Sequence, residues 1–174
     1  MSEKDLKVVL KRHKLWLDGS PAGERANLIG ANFSYAKLSY ANFSYARLSG
    51  ANFRDADLSY ANFRDARLSY ANFRDADLSY ADFRDADLSG ANFTGADLKG
   101  SLGNMRQIKT LSIDTYHVNY TKHSMQIGCE NHSIEEWKSF DDKRILEMEG
   151  KKALEFWKKY KDFIFTAIEL SPAI

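Results

Sequence analysis

The 174-residue chain has a single cysteine, Cys129, so no internal disulfide can staple it, and this usage fits a reducing compartment. Neither sign of charge dominates: 25 Lys and Arg balance 24 Asp and Glu, a net of +1 with neutral histidines. A nucleic-acid binder needs a cationic excess to neutralise phosphates, and an acidic mimic of DNA needs the opposite excess. This chain has neither, so direct nucleic-acid binding is not expected. Long apolar runs are also missing: no stretch approaches the roughly 18 residues that a membrane span requires. The opening, MSEKDLKVVLKRHKLWL, is charged throughout and lacks both the apolar core and the small-residue cleavage site of a signal peptide. The expectation is a cytoplasmic chain without membrane contact, long enough for one or two small domains.

What is abundant is repetition. From Ala26 to Gly100 the chain repeats every five residues through 15 units without losing frame. Each unit opens with Ala, from Ala26 and Ala31 to Ala96. The third position alternates strictly between Leu and Phe, from Leu28 and Phe33 to Phe93 and Leu98. A helix cannot use this pattern, because five residues advance the apolar centre by about 140° around the axis and no stripe forms. A flat strand cannot use it either, since an odd period sends every second Leu or Phe to the opposite face. A chain that bends once per unit can. Ala and Leu/Phe lie two apart and point inward together, while the other three residues turn the corner outside, which makes a solenoid. The alternation suits an even number of units per coil, so that Leu stacks on Leu and Phe on Phe.

Fifteen consecutive A(N/D)(L/F)XX units resemble the pentapeptide repeat family. The resemblance implies a mainly β protein whose solenoid is a right-handed quadrilateral β-helix of four units per coil, here about 3.75 coils. Open solenoid ends expose core and unpaired backbone, so caps are expected. The division expected is 1–25 as an N-terminal capping helix and linker, 26–100 as the solenoid, and 101–174 as a C-terminal α+β module.

A 20-residue coil lays out the exterior. Asn32, Asn52, Asn72 and Asn92 stack on one face, and Asn42, Asn62 and Asp82 on the opposite one. A third carries Lys37, Asp57, Asp77 and Asp97, with Tyr40, Tyr60 and Tyr80 at its corner. Arg54/Asp55, Arg64/Asp65, Arg74/Asp75 and Arg84/Asp85 make a mixed skin. Stacked amides and alternating charges serve a soluble exterior by themselves, with exposed pairs worth about 0–1 kcal/mol each. The candidate docking surface is therefore the aromatic row, Tyr40, Tyr60 and Tyr80, with Asp57, Asp77 and Asp97 beside it, because aromatic residues favour contact surfaces.

The flanks read differently. Leu6, Val9, Leu10, His13, Trp16 and Leu17 follow helical spacing over residues 3–17, with Ser2 and Asp5 at the start and Gly19 at the end. That stripe suits the open end of the first coil, and His13 on it reads as packed rather than catalytic. Residues 108–127 alternate as a short hairpin around Asp114. Ser133-Ile-Glu-Glu136 is a capping box, followed by helical segments at about 134–148 and 151–169 separated near Gly150. On the last segment Phe156, Trp157, Phe163, Ile164, Phe165 and Ile168 spread over more than one stripe. They are the candidate faces of a two-fold homodimer, with a monomer as the competing expectation. The tail MQIGCENHSIEEWKSF and the start LKRHKLWLDG resemble flanks of phage-encoded pentapeptide-repeat proteins, which implies a phage or prophage origin and no activity.

Catalytic chemistry is thinly represented. Cys129 and His132 form a C-x-x-H pair with His117 and His123 nearby, but the spacing matches no zinc motif and nothing supplies an orienting acid or an oxyanion hole. No nucleophile elbow, phosphate-binding loop or dinucleotide fingerprint occurs. The expectation is a non-enzymatic protein-interaction module, without cofactor or metal, that binds a host protein or acts as a scaffold. Family resemblance supplies the alternative, since some members imitate duplex DNA and bind type II topoisomerases. Residues 26–100 hold eight Lys/Arg and nine Asp, a net of −1, which disfavours it. A metal-dependent enzyme is the third and least supported class.

Overall fold

The computed structural model describes residues 3–174, so Ser2 of the expected helix cap lies outside the described residues. The chain runs through helix α1 (Glu3–Leu17), a repeat β-helix, and a C-terminal antiparallel sheet with two helices.

Three local effects bend each pentapeptide the same way. The third-position side chains from Leu28 to Leu98 are all buried, and the first-position alanines are buried or packed against them. The fifth residue of the units sits in the left-handed region, with φ between 55° and 72°. The next Ala N–H then closes the turn onto the third residue's carbonyl, as Ala61 does onto Leu58 at 3.0 Å. A positive φ at that turn position normally calls for Gly or Asn, yet here it is filled by Tyr or Asp at ten corners. The second position explains the tolerance in part. Its Asn or Asp Oδ1 accepts the N–H two residues on, as Asn52 does from Arg54 (3.1 Å) and Asp77 from Ser79 (2.9 Å). That side-chain turn holds the corner from within.

Successive layers are joined by parallel bridges, each between residues twenty apart, from Asn27↔Arg47 to Asp82↔Leu102. Phenylalanine accordingly stacks on phenylalanine: Phe53 lies 5.1 Å from both Phe33 and Phe73, nearly parallel to each. Asn52 donates to Asn32 and Asn72 to Asn52, both at 3.2 Å, so the expected amide ladder forms on that face.

Both ends of the core are covered. At the entry end Leu6, Val9 and Leu10 of α1 join the solenoid core. The chain turns back so tightly after α1 that a Cβ on Gly23 would lie 2.1 Å from the Trp16 backbone nitrogen. Backbone cannot yield as a side-chain tip can, so Gly23→Ala is expected to cost about 1–3 kcal/mol in urea unfolding. An unchanged midpoint would mean that α1 is not seated there.

At the exit end Ile108 plugs the core, fully buried. The expected hairpin is present as β1 (Lys109–Ile113) and β2 (Tyr116–Tyr120). It is half of the sheet: β3 (Ser124–Ile127) and β4 (Glu130–Ser133) extend it to a four-stranded antiparallel meander in the order β1-β2-β3-β4. The second hairpin is hidden in the sequence because its inward positions include Gln126, whose side chain bonds the solenoid end instead of packing as a hydrophobe. The capping box at Ser133 forms with both of its bonds and opens α2 (Ile134–Ser139). The expected 134–148 helix breaks at Phe140, which is extended, and α3 (Asp142–Leu170) begins afresh on the Asp141 cap. Its kink at Glu149 and Gly150 is the separation expected near Gly150.

Candidate interaction site

The Tyr row stands on this scaffold as one ring per layer. Tyr40 and Tyr60 are stacked at 4.9 Å and 2°, and Tyr60 and Tyr80 at 4.8 Å and 11°. All three are exposed, Tyr40 most of all at 72%. The left-handed corner at each Tyr directs the ring outward, and the layer repeat sets a spacing close to that of stacked aromatics. The column ends on Gly100, where a Cβ would meet the Tyr80 ring at 2.6 Å.

The neighbouring carboxylates are less free than their alignment suggested. Asp57 and Asp77 accept from the hydroxyls of Ser59 (2.7 Å) and Ser79 (2.6 Å). Asp97 accepts from Gln126 at 2.6 Å and so belongs to the exit cap. Elsewhere the skin is neutralised locally: Arg54–Asp55, Arg74–Asp75 and Arg84–Asp82 pair at 2.6–3.1 Å, and Arg64 lies 3.6 Å from Asp65 and 3.7 Å from Asp85.

The six residues read as a dimer helix divide. Phe156, Trp157 and Ile164 are buried in the chain's own second core, and Phe165 and Ile168 pack against it. Trp157 lies 5.2 Å from Trp137, and Phe156 lies 4.6 Å from Tyr116. Phe163 alone of the six is exposed, at 57%. The four-stranded sheet and α2 thus cover five of the six within the chain, and Phe163 remains for a second copy.

Cys129 and His132 do not form a reactive pair. Cys129 occupies the two-residue turn between β3 and β4, after Gly128 at φ 61°. Its sulfur lies 3.6 Å from Glu149 Oε1. Desolvation there, and then the Glu149 charge, raise the thiol above its ordinary range, so it stays protonated at neutral pH. His132 is engaged elsewhere, bonded to Glu130 at 3.0 Å and edge-on to Trp137 and Phe140. His117 bonds Ser112 on the β1–β2 hairpin. Among the described residues no three His, Cys, Asp or Glu gather as a metal site. Tyr116, pushed up to about 12 by burial and by Glu149, is likewise a structural phenol that donates to that carboxylate at 2.6 Å.

Sequence reasoning placed His13 as packed, which its burial bears out, but missed its hydrogen bonds and the polar residues that finish the exit end. At the entry end His13, fully buried, bonds the Ser44 carbonyl through Nε2 (2.9 Å) and receives the Ala26 N–H at Nδ1 (3.2 Å). At the exit end Asn104 donates to Ala86 O, Asn131 to Ala96 O and Asn119 to Leu98 O, while Gln126 receives the Leu98 N–H.

These features place the chain in the pentapeptide repeat family. The family model for pentapeptide repeats matches in eight copies over residues 36–69 and 66–102. Similar solved structures include a pentapeptide repeat protein from the Arabidopsis thaliana thylakoid lumen, 35% identical over 45% of this chain and 59% of that one, TM-score 0.43. Another, from Nostoc Pcc 7120, is 30% identical over 51% of this chain and 73% of that one, TM-score 0.29. A third is QnrB1, a plasmid-mediated fluoroquinolone resistance protein, 32% identical over 45% of this chain and 46% of that one, TM-score 0.25. The chain thus spans less than two thirds of the Arabidopsis protein's length. No curated protein matches it. Among the described residues no helix is long and apolar enough to cross a membrane.

Proposed function

We propose that this chain is a non-enzymatic protein-interaction module of phage or prophage origin, acting in the cytoplasm on a host protein. The reading takes residues 1–25 as entry cap, 26–100 as a right-handed quadrilateral solenoid of about 3.75 coils, and 101–174 as exit module. The twenty-residue bridge spacing supports four repeats per turn. The observation that carries the function is the exposed stack of Tyr40, Tyr60 and Tyr80. A flat aromatic column on a hydrogen-bonded backbone is already ordered, so a partner gains contact area with little loss of side-chain entropy. Topoisomerase mimicry is second, because ion-paired Arg and Asp leave the solenoid near neutral.

The test is affinity capture from a bacterial host lysate with the wild-type chain and with the triple variant Tyr40→Ser, Tyr60→Ser, Tyr80→Ser. The rings are solvent-facing, so the variant is expected to keep its fold, and circular dichroism checks this. A captured protein lost with the variant supports the docking face. Equal capture by both rejects it.

A further inference from the structure

The four sides of the last solenoid layer are finished unequally. On the side that ends at Ala81 and Phe83, Leu102 continues the ladder, donating to Ala81 O and accepting from Phe83 N. On the next side Asn104 takes the Ala86 carbonyl, while Leu88 N and Gly90 N have no partner among the described residues. Two sides further on, Asn131, Asn119 and Gln126 take Ala96 O, Leu98 O and Leu98 N. The side between them, Ala91–Gly95, has no such partner. In the layer below, Ala71 O accepts from Asn92 N, while Phe73 N and Asp75 N donate upward to Asn92 O and Thr94 O. Among the described residues nothing does the same for Ala91 O, Phe93 N and Gly95 N. This edge opens into a cleft of about 550 Å³ whose far wall is the β2–β3 loop, Thr121 to His123, with Ser124 of β3.

The sequence of this unit differs in a matching way. The two layers immediately below carry Arg54/Asp55 and Arg74/Asp75 at this corner, the first layer carries Ser34/Tyr35, and the last layer carries Thr94/Gly95. The corner before it is Gly90. The Asp75 carboxylate of the layer beneath lies against Gly95, and beyond it no Arg/Asp pair covers the backbone edge, which leaves room for another backbone to approach. On the far wall Lys122 and His123 are exposed, and Lys122 has no carboxylate within ion-pair distance among the described residues. The one side-chain carboxylate lining the cleft, Glu136, is held by the Ser133 N–H and hydroxyl.

We propose that the Ala91–Gly95 edge receives a short, acidic, extended segment of a partner protein as an added parallel strand, with a carboxylate of that segment reaching Lys122. Main-chain hydrogen bonds to Ala91, Phe93 and Gly95 supply binding, and Lys122 selects charge. Ile108 already fills the core above this layer, so the inward-pointing residue of the segment is small. The proposal rests on the protein-interaction reading but uses a surface separate from the tyrosine column.

The probe is a set of fluorescein-labelled octapeptides with Asp or Glu alternating with Ala or Ser, titrated into the full chain and followed by anisotropy. Amide exchange at Phe93 and Gly95 is read by NMR. Binding is expected to slow exchange at both amides. It is expected to weaken at least tenfold in Lys122→Glu and in Thr94→Arg/Gly95→Asp, which gives the last layer the corner of the layers beneath it. The tyrosine triple variant is expected to bind the peptides as wild type does, so failure of the Tyr surface and of this edge are distinguishable. The proposal is overturned if none of the peptides binds below millimolar concentration, if binding survives both edge variants, or if Phe93 in the free protein is already as protected as Phe73.

Discussion

Phe63→Ala is expected to destabilise the protein by about 3–5 kcal/mol, the usual cost of removing a buried aromatic ring. Phe63 has no exposed surface and sits at the middle of the solenoid. Its ring stacks between Phe43 at 5.3 Å and Phe83 at 5.0 Å, and meets Phe53 and Phe73 edge-on at 5.8 Å. The cavity left cannot close by local shifts, because the layers above and below are tied every twenty residues by backbone hydrogen bonds. Exposed aromatics give the contrast: Tyr35→Ser, at a ring 72% exposed, is expected to change stability by less than 1 kcal/mol. Urea melts of both variants decide the point, and similar losses in the two would contradict the inside–outside assignment.

The second large effect is at the entry end. His13→Ala removes both the acceptor of the Ala26 N–H and the donor to the Ser44 carbonyl. At about 1–3 kcal/mol for each buried group left unpaired, the loss is roughly 2–6 kcal/mol. The partners also set the proton. A carbonyl only accepts, so Nε2 carries the hydrogen, and an amide only donates, so Nδ1 must be bare. A protonated ring cannot receive the Ala26 N–H. Burial, opposed by the Ser44 bond and aided by the Arg25 charge, lowers the His13 pKa from its ordinary 6.5. The unfolded chain therefore binds the proton more readily than the folded one. Stability from this residue is complete above pH 6.5 and is lost as the pH falls below that value toward the lowered folded pKa. Urea midpoints between pH 7.5 and 5 should fall more steeply in wild type than in His13→Gln. Parallel slopes would show that His13 is not held neutral.

The pentapeptide register makes the interior legible from the sequence. Strict Ala at the first position and Leu or Phe at the third admit one bend per five residues, and every third-position side chain is indeed buried. The capping box at Ser133 and the break near Gly150 were legible for the same reason, since each depends on residues within one helical turn. The second hairpin was not. SMQIGCENHS carries too little alternation to announce two strands, because Gln126 and Asn131 face the solenoid end and bond its open backbone. The six apolar residues of α3 showed that the helix needed cover but not what covers it. That depends on where a four-stranded sheet sits, and the sheet buries Phe156, Trp157 and Ile164 within the same chain.

Sequence alone thus determined the solenoid, its core and the outward corners that carry Tyr40, Tyr60 and Tyr80, because a five-residue period acts through neighbours in the chain. Only the tertiary structure decided how the ends close. His13, Asn104, Asn119, Gln126 and Asn131 meet backbone groups 13 to 35 residues away, and no local pattern marks such a meeting. The same long-range contacts reach at least one backbone group on three sides of the last layer and, among the described residues, none of Ala91 O, Phe93 N and Gly95 N, a difference that exists only once the exit module is in place.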